Sequence, residues 1–344
     1  MQHAGNRKGR RGPWAMGLAS AGLLAWAAYK VSNPRRARAT MAADDSCETA
    51  PGAAADMSRF TPGAPPIRCR PWDIGTGVTG YVWHSPEPRA VLLLQHGYGE
   101  YARRFVGQYN QLIPHLLNIG VSVYAFDMWG SGHSPGRRGL TDVGQAVEDH
   151  LAARRKLREQ PLPVFLLGHS LGGLVTASSV ARDQSGLSGV VLMSAALQHD
   201  ASQALLAFAR VAAFFAPTAR APLKASSLSH LYRGAEQDAR LAGDPLFYRG
   251  RLPMLVAGTG GNIAHDNWSL YPDWEVPVLL MHGTADTWTD PRGSQRLFEA
   301  VASEDKTLHL VEGGYHELLN DTGRDETLRT LLTWLERRLP ANRE

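Results

Sequence analysis

Cysteine is nearly absent from this chain: its 344 residues contain only Cys47 and Cys69. Neither their spacing nor a neighbouring histidine suggests a metal site, and a disulfide between them would require export. No repeat of roughly 20–50 residues is present, which excludes solenoids and propellers. Basic charge is lacking where a nucleic-acid footprint would need it. Eight of the 36 Lys and Arg residues lie within residues 1–41, which hold no acid. The remainder has 28 basic against 32 acidic side chains, a net charge of −4. A basic surface on the folded body is therefore missing, and nucleic acid is excluded as a partner.

One apolar run approaches membrane length. Gly12–Tyr29 has 18 uncharged residues, at the short end for a span and diluted by alanine and glycine. The basic stretch before it, with Arg10-Arg11, is like that of a signal peptide, while the arginines after it suit a retained anchor. Three readings follow: an anchor or uncleaved signal, a cleaved signal, or translation starting at Met41 or Met57. The first two make the protein membrane-associated or exported, and the third makes it cytoplasmic. Residues 39–66 read as an Ala- and Pro-rich linker. Residues 1–66 thus form a leading segment, and 67–340 a catalytic-sized domain.

From Trp72 onward, short apolar runs alternate with helical patterns, predicting an α/β fold with a mostly parallel central sheet flanked by helices. Strands are expected at Val78–Trp83, Ala90–Gln95, Val121–Asp127, Val164–Gly168, Ser188–Ser194, Val278–His282 and Thr307–Val311. Helices are expected at Val106–Asn118, Gly144–Glu159, Leu171–Arg182, Gly293–Ala302 and Arg324–Leu339. Between about 197 and 270 the alternation fails. Leu206, Val211, Phe214 and Phe215 there suit one apolar helix face, and the stretch is expected to form a helical lid.

Val164–Val175 reads V-F-L-L-G-H-S-L-G-G-L-V, a G-x-S-x-G motif between an expected strand and an expected helix. In that context the motif is a nucleophile elbow that exposes the Ser170 hydroxyl at a sharp turn. A serine needs a base to become nucleophilic. The order Ser, acid, His is met by Asp286 in H-G-T-A-D and His316 in G-G-Y-H-E, each just past an expected strand. Asp127 precedes the serine and is expected to be structural, and Asp200 is a weaker acid candidate. His309 falls within a strand, and His96 and His282 belong to His-Gly turns. An oxyanion hole needs two backbone N–H groups. Leu171 and Tyr98, in the loop His96-Gly97-Tyr98-Gly99-Glu100, are the expected donors. No metal or organic cofactor is called for.

Several segments, in order, resemble the monoacylglycerol lipases and related lysophospholipases of the serine α/β-hydrolases. They are H-G-Y-G-E-Y-A-R-R-F, F-D-M-W-G-S-G-H-S-P-G, G-H-S-L-G-G, D-P-L-F-Y-R-G, H-G-T-A-D and G-G-Y-H-E-L-L-N-D, spanning about Trp72–Leu339. The resemblance implies the α/β-hydrolase fold and puts Ser170, Asp286 and His316 at the triad positions, with Tyr98 and Leu171 at the oxyanion positions. It implies a lipid ester substrate, monoacylglycerol or lysophospholipid, and the N-terminal segment and the lid are expected to bring membrane association. The alternatives are a carboxylesterase, thioesterase or acyltransferase of the same fold, or a non-catalytic binding module. Two departures stand out: Tyr98 where the family often has a small residue, and Ser131 where the D-M-x-G-H-G-x-S pattern has histidine.

Overall fold

In the computed structural model, Cys47 and residues 52–341 are described, except 198–200, 223–227, 235–240 and 242. The expected membrane segment Gly12–Tyr29 and the alternative acid Asp200 lie outside these residues. Among the described residues, no helix is long and apolar enough to cross a membrane.

Short strands β1 (Ala54–Ala55), β2 (Ile67–Arg68) and β3 (Arg70–Pro71) precede β4 (Gly80–Trp83), β5 (Ala90–Gln95) and β6 (Val121–Phe126). β7 (Val164–His169), β8 (Leu187–Met193), β9 (Val278–Gly283) and β10 (Lys306–Val311) follow. Strands β3–β10 form one sheet in the order β10-β9-β8-β7-β5-β6-β4-β3. β5 to β10 pair in parallel, and β4 and β3 add antiparallel at one edge. The central strands are buried residue by residue, as unbroken Val/Leu/Met runs require when helices cover both faces. The covering helices are α1 (Leu112–Asn118), α2 (Val143–Leu157), α3 (Leu171–Arg182), α4 (Gln203–Phe215), α5 (Met254–Asp266), α6 (Pro291–Ala300) and α7 (Arg324–Glu336). Several have evident starts: Asp142 accepts the Gln145 N–H, Ser202 accepts that of Leu205, and Asp290 precedes Pro291.

Three expectations need correction. The helix read over Val106–Asn118 is broken. Tyr109, Asn110 and Gln111 all adopt left-handed backbone, at φ of 52°, 51° and 55°. Such residues cost about 1–2 kcal/mol each, and tertiary bonds hold them. The Tyr109 N–H donates to Asn320 Oδ1 at 2.6 Å, and its hydroxyl to Glu100 Oε2 at 2.7 Å. The linker also ends before residue 66. β1 pairs antiparallel with β2, Ala55 and Met57 enter the core, and Cys47 is disulfide-bonded to Cys69. The third correction concerns α4, which lies in the helical insertion between β8 and β9. It buries only Leu206 and Ala213, while Leu205, Phe208, Val211, Phe214 and Phe215 face outward.

Candidate active site

The sheet brings the chemistry to one edge. Ser170 follows β7, Asp286 follows β9, His316 follows β10, and the loop bearing Tyr98 follows β5. All are at carboxyl ends of parallel strands, where ligands of open α/β sheets bind.

Ser170 is the single residue between β7 and α3, at φ 55° and ψ −120°. Its N–H donates to Met193 O at 3.0 Å and its carbonyl accepts from Ala196 N at 3.0 Å, so β8 and the loop after it hold the strained corner. The corner also requires close backbone approach. A methyl on Gly172 would lie 2.3 Å from the Gln95 and His96 carbonyl oxygens. With the backbone fixed, Ser170 Oγ lies 2.8 Å from His316 Nε2, and His316 Nδ1 lies 2.7 Å from Asp286 Oδ2. The imidazole and the carboxylate are buried, while the serine is partly open. The Trp288 ring stacks on the His316 ring at 6.1 Å. The three residues that the sequence places 116 and 30 positions apart form one continuous chain of contacts.

Asp286 is more heavily bonded than the motif suggests. Oδ1 accepts from the N–H groups of Trp288 at 2.7 Å and Thr289 at 3.0 Å. Oδ2 is also 2.8 Å from the Thr289 hydroxyl and 3.2 Å from His282 Nε2. Burial pushes the carboxyl upward, but His316 and His282 outweigh it and hold Asp286 well below the usual carboxylate range.

Leu171 directly follows Ser170, and the loop carrying Tyr98 passes close to that serine. Leu171 opens α3. A methyl on Gly97, next to Tyr98, would lie 3.0 Å from Ser170 Cβ. Among the described residues, neither amide donates to a protein acceptor, leaving both for a ligand. The loop itself is anchored: His96 Nε2 accepts from Met128 N at 3.0 Å, and Glu100 Oε1 from Gly97 N at 2.7 Å.

Glu100 belongs to a buried network behind the elbow that the motifs did not reveal. Its Oε1 is 2.8 Å from His169 Nδ1, and its Oε2 accepts from Arg104 at 2.5 Å. Arg104 also reaches Glu317, the residue after His316, at 3.4 Å. Burial raises the Glu100 carboxyl, yet His169 and Arg104 more than offset this and hold it well below its usual range. Burial opposes charge on His169, but Glu100 raises it above its ordinary value. An acid and a base adjoining two catalytic-motif residues were the available signal. Asp127, by contrast, is structural: it accepts from Tyr81 OH, Ala102 N and His133 N at 2.8–2.9 Å, apart from the triad. His309 lies in β10, as expected.

The insertion touches each functional loop. Tyr248 N donates to Gly99 O at 2.7 Å, and the Tyr98 and Tyr248 rings meet edge-on at 5.7 Å. Tyr101 OH donates to Asp244 at 2.8 Å, and Glu317 N to Leu231 O at 2.8 Å. Trp288 packs against a cluster of Leu231, Tyr232, Leu241 and Phe247.

The family model described as serine aminopeptidase, S33, matches residues 86–323. The monoacylglycerol lipase of Mycolicibacterium smegmatis is 32% identical over 271 residues, 76% of this chain and 93% of that protein. The human monoglyceride lipase is 32% identical over 240 residues, 67% of this chain and 76% of that one. Among solved structures, the monoacylglycerol lipase of Paleococcus ferrophilus has a TM-score of 0.67 at 31% identity, covering 76% of this chain and 99% of that chain.

Proposed function

Since the chain belongs to the monoacylglycerol lipase-like serine hydrolases of the α/β-hydrolase superfamily, we propose that it cleaves single-chain lipid esters, monoacylglycerol or lysophospholipid, through an acyl-enzyme on Ser170. One observation carries this reading. The Ser170 hydroxyl, His316 and Asp286 are linked at 2.8 and 2.7 Å on a left-handed corner with two amides left unpaired beside it.

In the reaction, His316 Nε2 takes the Ser170 proton as Oγ attacks the ester carbonyl carbon. The carbonyl oxygen becomes an oxyanion and accepts hydrogen bonds from the Tyr98 and Leu171 amides. Asp286 stays ionised, fixes the imidazole with its proton on Nδ1, and stabilises the imidazolium. The tetrahedral centre collapses, the C–O bond to the alcohol breaks, and His316 protonates the departing alkoxide. Water then attacks the acyl-enzyme with His316 again as base, releasing the fatty acid and restoring the Ser170 hydroxyl.

The insertion serves as the acyl-binding lid, and the outward apolar side chains of α4 meet the lipid surface that supplies substrate. Five large exposed apolar residues on one helix support this role, because water-facing helices rarely carry them. The protein acts in an exported or membrane-attached form, carried by the N-terminal apolar segment. Support comes from the Cys47–Cys69 bond, since structural disulfides belong to oxidising compartments, and a start at Met57 would delete both Cys47 and β1.

The substrate assignment is tested by measuring kcat/KM for 1-oleoylglycerol, lysophosphatidylcholine, an oleoyl thioester and p-nitrophenyl butyrate. The long-chain oxygen esters are expected to exceed the butyrate by at least about tenfold, a gap that burying a few methylenes supplies. A preference for butyrate or for the thioester would overturn it. Thiol trapping in intact cells tests the location: the pair should resist alkylation until reduced.

A further inference from the structure

We propose that His282 is a positioning residue for the reaction, a second imidazole that holds the Asp286 carboxylate oxygen that His316 also meets. The inference rests on the Ser170–His316–Asp286 assignment.

His282 lies in β9, four residues before Asp286, and is fully buried. A buried histidine in a His-Gly turn could simply fill space, but its two nitrogens are both committed. Nε2 is 3.2 Å from both Asp286 Oδ2 and the Thr289 hydroxyl oxygen and 3.3 Å from Thr289 O, and the carboxylate and the carbonyl only accept. Nε2 therefore carries the proton and donates. Nδ1 is 2.7 Å from the hydroxyl of Ser294, a buried residue of α6, which donates to it and fixes that tautomer. The result is a line of polar contacts, Ser294 to His282 to Asp286, meeting His316 on the same carboxylate oxygen.

Thr289 explains why that line matters. Its hydroxyl has one proton but two acceptors, Asp286 Oδ2 at 2.8 Å and Ser194 O at 3.0 Å. It can leave the carboxylate without losing a hydrogen bond. The His282 N–H also has more than one acceptor, but Asp286 Oδ2, the Thr289 hydroxyl and Thr289 O lie together, 3.2–3.3 Å from Nε2. With Ser294 fixing the ring, the His282 N–H stays directed at this group. Its donation keeps Oδ2 in the plane that His316 Nδ1 needs, and spreads the carboxylate charge over enough donors that Asp286 does not take the proton from the imidazolium.

Four variants test this, each read as kcat, KM and the rate of fluorophosphonate labelling. Gln at position 282 keeps an N–H in the place of Nε2, whereas Leu removes it. His282→Gln is expected to stay within about threefold of wild type, and His282→Leu to lose about 10- to 100-fold in kcat and labelling rate with KM unchanged, the effect of one hydrogen bond to a charged group. Ser294→Ala is expected to lose about three- to tenfold in kcat at unchanged KM, by freeing the tautomer. Wild-type kcat in His282→Leu, equal losses in Leu and Gln, or wild-type kcat in Ser294→Ala would overturn the proposal. The last result decides the matter if His282→Leu fails to fold. Asp286→Asn separates the proposal from its premise. Full activity there would overturn the triad assignment itself, whereas severe loss there with wild-type rates in His282→Leu would overturn the positioning role alone.

Discussion

The sheet and the insertion are built from similar residues put to opposite use. β5 to β9 bury every Val, Leu and Met they carry in their central turns of chain. α4 is also mostly apolar, yet Leu206 is 6% exposed while Phe208 is 60% and Phe215 79%. In the sheet, apolar side chains fix where Ser170, Asp286 and His316 stand. In α4 they fix almost nothing inside the molecule. α4 is attached to α5 by Leu206 and Ala213, by the Asn262 amide, which bonds to Leu206 O and accepts from Arg210, by Gln203 beside His265 at 3.0 Å, and by close backbone approach at Gly258. The difference is one of place: one region buries its apolar side chains beneath Ser170, Asp286 and His316, and the other presents them as surface.

That division is broken most sharply at the triad. Ser170→Ala or His316→Ala should lower kcat by on the order of 10⁴-fold or more for every substrate, soluble or lipid, with an unchanged melting temperature. Loss confined to lipid substrates would mean that the sheet edge and α4 are not functionally separate.

The converse change is Phe208→Ser, Phe214→Ser and Phe215→Ser together. The expected result is about a tenfold higher apparent KM for 1-oleoylglycerol in vesicles, from lost apolar contact. Hydrolysis of p-nitrophenyl acetate in free solution should be unchanged, and the melting temperature equal or higher. A large loss of stability would show that these side chains are packed in solution.

The sheet domain's leading edge gives a smaller effect. Replacing both Cys47 and Cys69 by alanine opens a closure of 22 residues. That should reduce unfolding free energy by about 3 kcal/mol in urea titrations, with kcat within about twofold of wild type.

The smallest effect concerns the buried network behind the elbow. The His169 imidazole is raised above its ordinary value of about 6.5. Its stabilising contribution is therefore complete below about pH 6.5 and lost as pH rises through the raised folded value. The stability gap between wild type and His169→Gln should be widest near pH 6 and narrow on going alkaline. A constant gap would assign His169 to packing alone.

Much of the sheet was legible because each central strand is a continuous apolar run ended by a polar loop. The expected strands from Val78–Trp83 to Thr307–Val311 match observed ones to within two residues at each end. The meeting of Ser170, Asp286 and His316 was legible for the same reason: a motif just past a buried strand must lie at the sheet's carboxyl edge. Periodicity could not tell whether α4's apolar face turns in or out, because both give the same spacing. The break at Tyr109–Gln111 was hidden, since none of the three left-handed residues is glycine and their partners, Glu100 and Asn320, lie elsewhere in sequence. His282 and Thr289 were passed over because their roles depend on which way their side chains turn around Asp286, which no local pattern states.

The central claim, that Ser170 is the nucleophile, is tested most directly by intact-mass and peptide analysis after fluorophosphonate treatment. A single adduct on the Ser170 peptide is expected, with none in Ser170→Ala and protection by 1-oleoylglycerol. An adduct on another residue, or equal labelling of Ser170→Ala, would contradict it.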